Sequence, residues 1–280
     1  MIMTETNFIS TAATGTNING MNGCEDYSRW WRIYRKVEHP NSRLICLPHA
    51  GGSASFYRNW AQDLPTNIEL AAIQYPGHED RLNEPLVNDM NELVNGICDS
   101  ACRGGLLNRP YMIFGHSMGG YVAYELCREI RKRGLKEPYH VFISSSEAPG
   151  LKNDSNWHES SDTDLLTEVR RVYGDDNICR DTEIADMFLP VIRNDYELIE
   201  KWNPEKNQEP FKIDLSSFYA DADTEMDRMK AEGWQNVTSR KFEARKFNGN
   251  HFYLIQHRKE IIRSVADAAR RQNTKRLMLP

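Results

Sequence analysis

The sequence has 280 residues, of which 40% are apolar and 27% are charged, and its formal net charge is -5. This length fits one α/β core with an insertion as readily as two domains, and the acidic balance argues against a nucleic-acid partner, since phosphate binding needs a basic surface. The sequence contains no secretory signal and no membrane-spanning apolar run, and its six cysteines lack metal-ligand spacing, so we expect a reduced, cytoplasmic protein that needs no metal, cofactor or membrane.

The chain begins with a polar tail, after which strands and helices alternate. Residues 1–27 are rich in Thr, Asn, Ser and Gly. They bury too little apolar surface to offset the entropy lost on ordering, so we predict a disordered tail. Apolar residues at helical spacing over 90–101 and 122–130 predict two helices. Short apolar runs predict buried strands, at residues 44–47, 70–73, 111–114 and 141–143. Strands separated by helices imply a mostly parallel sheet with helices on both faces.

The alternation of strands and helices is interrupted over residues 147–207. Ser161 and Asp164 match a capping box at the start of one helix in this stretch, and a second helical pattern begins near residue 182. We interpret the interruption as a helical insertion that forms a lid over one edge of the sheet. A helical pair on the far side of the core is the alternative. The α/β core then comprises residues 28–146 and 208–280.

A short glycine-serine motif lies between a predicted strand and a predicted helix. Residues 115–119 read GHSMG. The order of strand, G-x-S-x-G and helix is typical of a nucleophile elbow, a sharp turn that exposes a serine hydroxyl above the end of a sheet. Both glycines are needed there, because a side chain at either position would collide with the neighbouring strand or helix. We therefore predict that Ser117 is a catalytic nucleophile.

A serine hydroxyl needs a base within hydrogen-bond reach and a third group that orients the base. In folds with this elbow, the partners follow the serine in the order acid, then histidine, each after a late strand. His251 comes directly after the predicted strand at residues 239–247. We predict that it is the base, in preference to His257, which lies at the start of the last helix.

The acid is expected after the predicted strand at residues 215–220, where the sequence offers two aspartates. Asp223 is favoured as the acid, and Asp221 is its direct competitor. Asp223 also matches the N-cap of a helix beginning at Glu225, so capping is the competing role for its carboxylate. The triad predicted from the residues is therefore Ser117, His251 and Asp223, with Asp221 left open.

An oxyanion hole needs backbone N–H groups aimed at the charge that develops on the substrate. Met118 N–H is one expected donor, because it directly follows the nucleophile at the start of a helix. The second is expected from the loop PHAGG at residues 48–52, after an early strand. Ala50 N–H is the favoured donor, with Gly51 next. We predict that His49 and His116, which flank these backbone features, are packed and hydrogen-bonded histidines without a catalytic role.

The motifs together resemble the type II thioesterases that accompany nonribosomal peptide and polyketide synthases, in the α/β-hydrolase superfamily. The similarity covers nearly everything after the tail. It is carried by LPHAGGSA at 47–54, QYPGHEDR at 74–81, GHSMGG at 115–120, LPVIRND at 189–195 and GNHFYL at 249–254. The sequence departs from the family in having His78 where arginine is usual, Asn250 in place of a second glycine, and Thr224 where a proline is usual.

The resemblance implies hydrolysis of acyl groups from the phosphopantetheine arm of a carrier protein, clearing stalled or mis-primed chains. It implies carrier domains of a synthase as partners and no cofactor beyond the arm that the substrate itself carries; a monomer is expected. Two rival functions use the same groups: a general carboxylester hydrolase and a medium-chain fatty-acyl carrier thioesterase. A noncatalytic carrier-binding module is the rival from another class. The sequence leaves the acyl preference, the carrier and the choice between editing and product release open.

Overall fold

The computed structural model describes residues 27–173, 182–206 and 208–277. These residues form a seven-stranded sheet with the strand order β1-β3-β2-β4-β5-β6-β7. β1 is antiparallel to β3, and each of the other neighbouring pairs is parallel. In chain order the strands are Trp31–Arg35, Ser42–Leu47, Ile68–Ile73, Tyr111–His116, His140–Ser144, Asp214–Ala220 and Phe242–Phe247. The mostly parallel sheet expected from the alternating pattern is confirmed.

Helices connect the strands and cover the sheet. In chain order α1 to α7 are Trp60–Asp63, Met90–Arg103, Met118–Lys132, Asp162–Tyr173, Thr182–Lys201, Arg228–Glu232 and Arg258–Leu277. Short 3₁₀ helices occupy Ala54–Tyr57, Glu79–Arg81, Trp157–Glu159 and Gly233–Val237. The side chain of Asp89 caps α2 by accepting the Glu92 N–H at 2.8 Å. The apolar faces predicted over residues 90–101 and 122–130 are buried, which confirms both helices.

The core has two apolar layers, one on each face of the sheet. β2 contributes to both, because successive side chains of a strand point to opposite faces. Ile45 and Leu47 pack in one layer with α2 and α3, while Leu44 and Cys46 pack in the other with α7. Full burial of such a side chain contributes about 1.5–3 kcal/mol. Burial on both faces explains why residues 44–47 of β2 form an uninterrupted apolar run.

The helical insertion, residues 147–207, leaves the sheet after β5 and returns before β6. Its helix α4 begins as predicted, since Ser161 Oγ accepts the Asp164 N–H at 3.2 Å and donates to the Asp164 carboxylate at 2.7 Å. Helix α5 contains Pro190. Together with the 3₁₀ helix before them, α4 and α5 form a small apolar cluster of their own around Leu165, Val169 and Ile192.

Two local features differ from the sequence expectations. Strand β1 was not predicted; it is an edge strand whose residues after Trp31 are only half-buried. No helix begins at Glu225; α6 starts at Arg228, with Asp227 as its N-cap.

The predicted tail lies outside the described residues except for Tyr27, whose ring packs against Gly104. Within the described ranges no helix is both long and apolar enough to cross a membrane.

Candidate active site

Ser117 lies in a sharp turn between β4, which ends at His116, and α3, which begins at Met118. Its backbone has φ 53° and ψ -122°, a strained conformation for a residue with a side chain. A Cβ on Gly115 would lie 2.0 Å from the Gly119 carbonyl oxygen, and one on Gly119 would lie 2.1 Å from the Leu47 carbonyl oxygen. Both glycines of the motif are therefore required by close backbone contacts, as the sequence predicts.

Neighbouring strands hold this strained turn in place. The Ser117 N–H donates to the Ser144 carbonyl at 2.8 Å, which links the turn to the end of β5. The Ser117 carbonyl accepts hydrogen bonds from the Gly120 N–H at 2.8 Å and from Ser146 Oγ at 2.6 Å. Because both backbone groups of Ser117 are bonded, the rest of the fold fixes the direction in which its side chain leaves the turn.

His251 and Asp223 are brought together by the turns that follow β7 and β6. His251 Nδ1 lies 3.0 Å from both carboxylate oxygens of Asp223. The two residues are only 4% and 7% exposed, so little solvent screens their interaction. Burial raises the pKa of Asp223, but the hydrogen bond from His251 and its charge outweigh burial and hold the pKa below its usual value. Asp223 is therefore suited to orient the ring and to stabilise a positive charge on it.

Asp221 and His257, the alternatives to Asp223 and His251, form hydrogen bonds elsewhere. Asp221 is exposed, and its carboxylate accepts the Gly249 N–H at 3.0 Å, which ties the turn after β6 to the turn before His251. Asp223 accepts the Glu225 N–H at 3.0 Å, so it closes a local turn without capping a helix. His257 is bonded through Nδ1 to Glu260 and through Nε2 to the Asn248 carbonyl. The structure thus pairs His251 with Asp223 and places the alternatives in other contacts.

The loop after β2 contains Ala50, which the sequence predicts as the second oxyanion donor. Ala50 lines the same cavity as Ser117 and His251. The Gly51 N–H donates to the Asp195 carboxylate at 2.7 Å, so this alternative donor is already occupied. Met118 is the first residue of α3, where backbone N–H groups have no partner within the helix. Ala50 and Met118 remain the candidates predicted from the sequence.

A cavity of about 100 Å³ connects these residues with the helical insertion. Side chains of the insertion form much of its wall, including Trp157, Val172 and Tyr196. Glu147 and Glu168 also line it, and each is neutralised: Glu147 pairs with Lys230, and Glu168 forms two bonds to Arg171 at 2.6 and 2.7 Å. Residues of the insertion and Ser117 therefore line the same cavity, as a lid over this edge of the sheet requires.

His49 and His116 are buried beneath the cavity. The ring centroids of His49 and His116 are 6.0 Å apart, and those of His116 and His251 are 5.2 Å apart. His116 Nδ1 bonds to Ser144 Oγ at 2.9 Å, which confirms a packed, hydrogen-bonded histidine. His49 is packed, but contrary to expectation its Nδ1 has no hydrogen-bond partner in the part of the chain that the structure describes. Burial and the neighbouring His251 lower the pKa of His49 to about 3, so this ring is neutral.

Sequence reasoning missed the contacts of Asp195, a buried aspartate in α5. Its carboxylate accepts from the Gly51 N–H at 2.7 Å and lies 2.9 Å from His78 Nε2. The signal was available, because Asp195 is three residues from both Ile192 and Leu198 and so shares the apolar face of its helix. A charged residue on a buried helix face needs a partner, which marks it as a position of interest.

Comparison with known proteins agrees with this geometry. The model of the Thioesterase domain family matches residues 42–268. Thioesterase PikA5 of Streptomyces venezuelae is 31% identical over 243 residues, which cover 86% of each chain. The gramicidin S biosynthesis protein GrsT of Aneurinibacillus migulanus is 32% identical over 222 residues, 79% of this chain and 86% of that protein. The structure of the type II thioesterase BorB from the borrelidin biosynthetic cluster has a TM-score of 0.79 at 33% identity, covering 86% of this chain and 97% of that chain.

The parallel sheet, the serine turn and the adjoining histidine define a serine hydrolase of the α/β-hydrolase fold. The chain belongs to the Thioesterase domain family, whose model spans most of its length. It is a serine thioester hydrolase, and its similarity to BorB and to PikA5 covers 86% of the chain in each case. The family expected from the sequence motifs is confirmed.

Proposed function

We propose that this enzyme hydrolyses acyl thioesters carried on the phosphopantetheine arm of carrier proteins, with Ser117 as nucleophile, His251 as base and Asp223 as the orienting acid. The observation that supports the triad most strongly is the buried contact of His251 with both oxygens of Asp223, beside a cavity that Ser117 also lines. The chain itself supplies every catalytic group in this proposal, and water is the only reactant besides the acyl thioester.

In the first half-reaction, Ser117 Oγ attacks the thioester carbonyl carbon while its proton moves to His251 Nε2. The carbonyl oxygen becomes an oxyanion, which accepts hydrogen bonds from the Ala50 and Met118 N–H groups; each such donor is worth about 3 kcal/mol. Collapse of this intermediate breaks the carbon–sulfur bond, and His251 returns the proton to the departing sulfur. The product is an acyl ester of Ser117 and a free phosphopantetheine thiol.

In the second half-reaction, His251 takes a proton from water as the water oxygen attacks the acyl carbon. The bond to Ser117 Oγ then breaks, the proton returns to Oγ, and the free acid leaves. A thiol has a pKa of about 8.5 and leaves more readily than an alkoxide. We therefore expect acylation of Ser117 to be fast and hydrolysis of the acyl-enzyme to limit turnover.

The names of the relatives support a role in an assembly line, since GrsT is a gramicidin S biosynthesis protein and BorB belongs to a borrelidin cluster. The cavity of about 100 Å³ is small, which favours short acyl groups in the position shown by the structure. On this basis the enzyme removes short or aberrant acyl groups and keeps carriers available. We place it in the cytoplasm as a monomer, and sedimentation of the purified protein tests the oligomeric state.

The decisive experiment is intact-protein mass spectrometry of carriers loaded with acetyl, medium-chain acyl and mature-chain groups. Wild-type enzyme is expected to release the short groups fastest, and Ser117→Ala is expected to release none while its thermal unfolding midpoint stays unchanged. Preferential release of the mature chain would indicate product release, and preference for the medium-chain group would indicate fatty-acyl termination. Unchanged turnover by Ser117→Ala would refute the mechanism, and an enzyme active only on simple esters would refute the carrier substrate.

A further inference from the structure

The helical insertion reaches the oxyanion loop through one buried carboxylate. Asp195 is 2% exposed, and its Oδ2 accepts the Gly51 N–H at 2.7 Å and lies 2.9 Å from His78 Nε2. Asn194, next to it in α5, donates through Nδ2 to the Val87 carbonyl at 3.0 Å and so anchors the same turn of the helix. A buried carboxylate is held in one orientation when its oxygens accept several hydrogen bonds.

The insertion holds both ends of a single peptide group in this loop. The Gly51 N–H and the Ala50 carbonyl belong to the same peptide plane, and the Ala50 carbonyl accepts a hydrogen bond from the Tyr173 hydroxyl. Gly51 has φ +67°, and a Cβ there would lie 2.9 Å from Ile192 Cγ1, so α5 packs closely against the loop. Fixing this plane restricts the backbone rotation of Ala50, whose own N–H is the proposed oxyanion donor.

His78 determines the charge next to Asp195. Its Nδ1 lies 2.8 Å from the Pro76 carbonyl and its Nε2 lies 2.9 Å from Asp195, so both ring nitrogens face acceptors. Only the protonated ring donates from both nitrogens. The other ionisable groups around the ring are Arg81, His49 and Tyr75, whose ring centroid is 5.6 Å away.

The balance of these groups favours the charged ring. Burial lowers the pKa of His78, but the charge and hydrogen bond of Asp195, with the Pro76 carbonyl, outweigh burial and the opposing Arg81, so the pKa lies above its usual value. A raised histidine pKa means that the ion pair is complete at low pH and is lost as the pH rises through the folded-state pKa.

We propose that Asp195 is a positioning residue: bound by protonated His78, it fixes the Ala50–Gly51 peptide so that the Ala50 N–H points at the oxyanion. This inference rests on the proposed Ser117 mechanism but not on the nature of the acyl carrier. It predicts an effect on kcat with little effect on KM, because the oxyanion exists only in the transition state and in the intermediate.

The test uses p-nitrophenyl acetate, which reports on Ser117 without any carrier. Asp195→Ala is expected to lower kcat about 10²-fold with KM changed less than about threefold, as for loss of one oxyanion donor. Asp195→Asn keeps the volume of the side chain but loses its charge, so it guards against misfolding of the alanine variant and is expected to lower kcat at least about tenfold. Glu197→Gln is the matched control on the same helix, since the Glu197 carboxylate pairs with the exposed Lys201 and bonds to Asn88, and its kcat should stay within about twofold.

The pH dependence of kcat distinguishes a positioning role of Asp195 from a role in packing alone. Wild-type kcat should fall on the alkaline side as His78 loses its proton, whereas His78→Arg, a permanent cation, should remove this fall. A kcat for Asp195→Asn within twofold of wild type, or the same alkaline fall in His78→Arg, would overturn the proposal. If wild-type enzyme cleaves p-nitrophenyl acetate but no loaded carrier, the carrier substrate is refuted. The positioning role of Asp195 can still be tested with the ester in that case.

Discussion

Asp223→Asn removes one negative charge beside His251 and changes little else in shape. His251 Nδ1 lies 3.0 Å from both carboxylate oxygens, so an imidazolium formed during the reaction has its charge about 4 Å from the carboxylate charge. At an effective dielectric constant of about 20, two unit charges at that distance attract by about 4 kcal/mol. Because about 1.4 kcal/mol corresponds to a tenfold change in rate, we expect kcat to fall about 10³-fold.

The assay is single-turnover release of acetate from an acetyl-loaded carrier, followed by mass spectrometry. The matched control is Asp221→Asn, two residues away, whose exposed carboxylate accepts only the Gly249 N–H among the side-chain contacts described. Its kcat should stay within about twofold, since exposed substitutions of this kind change free energies by about 0.5 kcal/mol or less. If Asp223→Asn retained more than a tenth of wild-type kcat, or if Asp221→Asn caused the larger loss, the assignment of the acid would be refuted.

Two further predictions concern the elbow and the insertion. Gly119→Ala should lower the free energy of unfolding by about 3 kcal/mol, because its Cβ would lie 2.1 Å from the Leu47 carbonyl oxygen. Gly134→Ala, where a Cβ meets nothing within 4 Å but φ is +64°, should cost only about 1–2 kcal/mol; equal urea midpoints for the two variants would contradict this reasoning. Backbone amides of α4 and α5 should exchange hydrogen faster than those of β2 and β4, because the insertion must move to admit the phosphopantetheine arm; equal protection would count against movement.

The nucleophile elbow could be predicted from the sequence alone, because the residues that define it lie close together in the chain. A strand, a G-x-S-x-G turn and a helix follow one another within about twenty residues, and the two glycines are explained by contacts within the turn and with the adjoining strand. The order of the late strands likewise limited the base to His251 or His257. Short apolar runs also located the central parts of the buried strands, because a strand covered on both faces is largely apolar.

Features that depend on distant partners could not be predicted in this way. Strand β1 pairs with β3 at the edge of the sheet, and its mixed pattern of exposure resembles that of a loop. Asp195 contacts a histidine 117 positions earlier in the chain and a glycine 144 positions earlier. The Asp223 carboxylate contacts both a local turn and the distant His251, and the helix expected at Glu225 begins instead at Arg228. In each case the tertiary fold decides which of several local options is realised.

His49, His116 and His251 are in contact with one another at the cavity, and this contact affects how activity depends on pH. Burial and the neighbouring His251 lower the pKa of His49 to about 3, and the same causes keep the pKa of His116 well below its usual range. Both rings are therefore neutral at physiological pH, and the charged group that contacts the His251 ring is Asp223. Protonation of His49 or His116 should therefore add no step of its own to the pH profile of kcat/KM between about pH 5 and 8, although three imidazole rings are in contact.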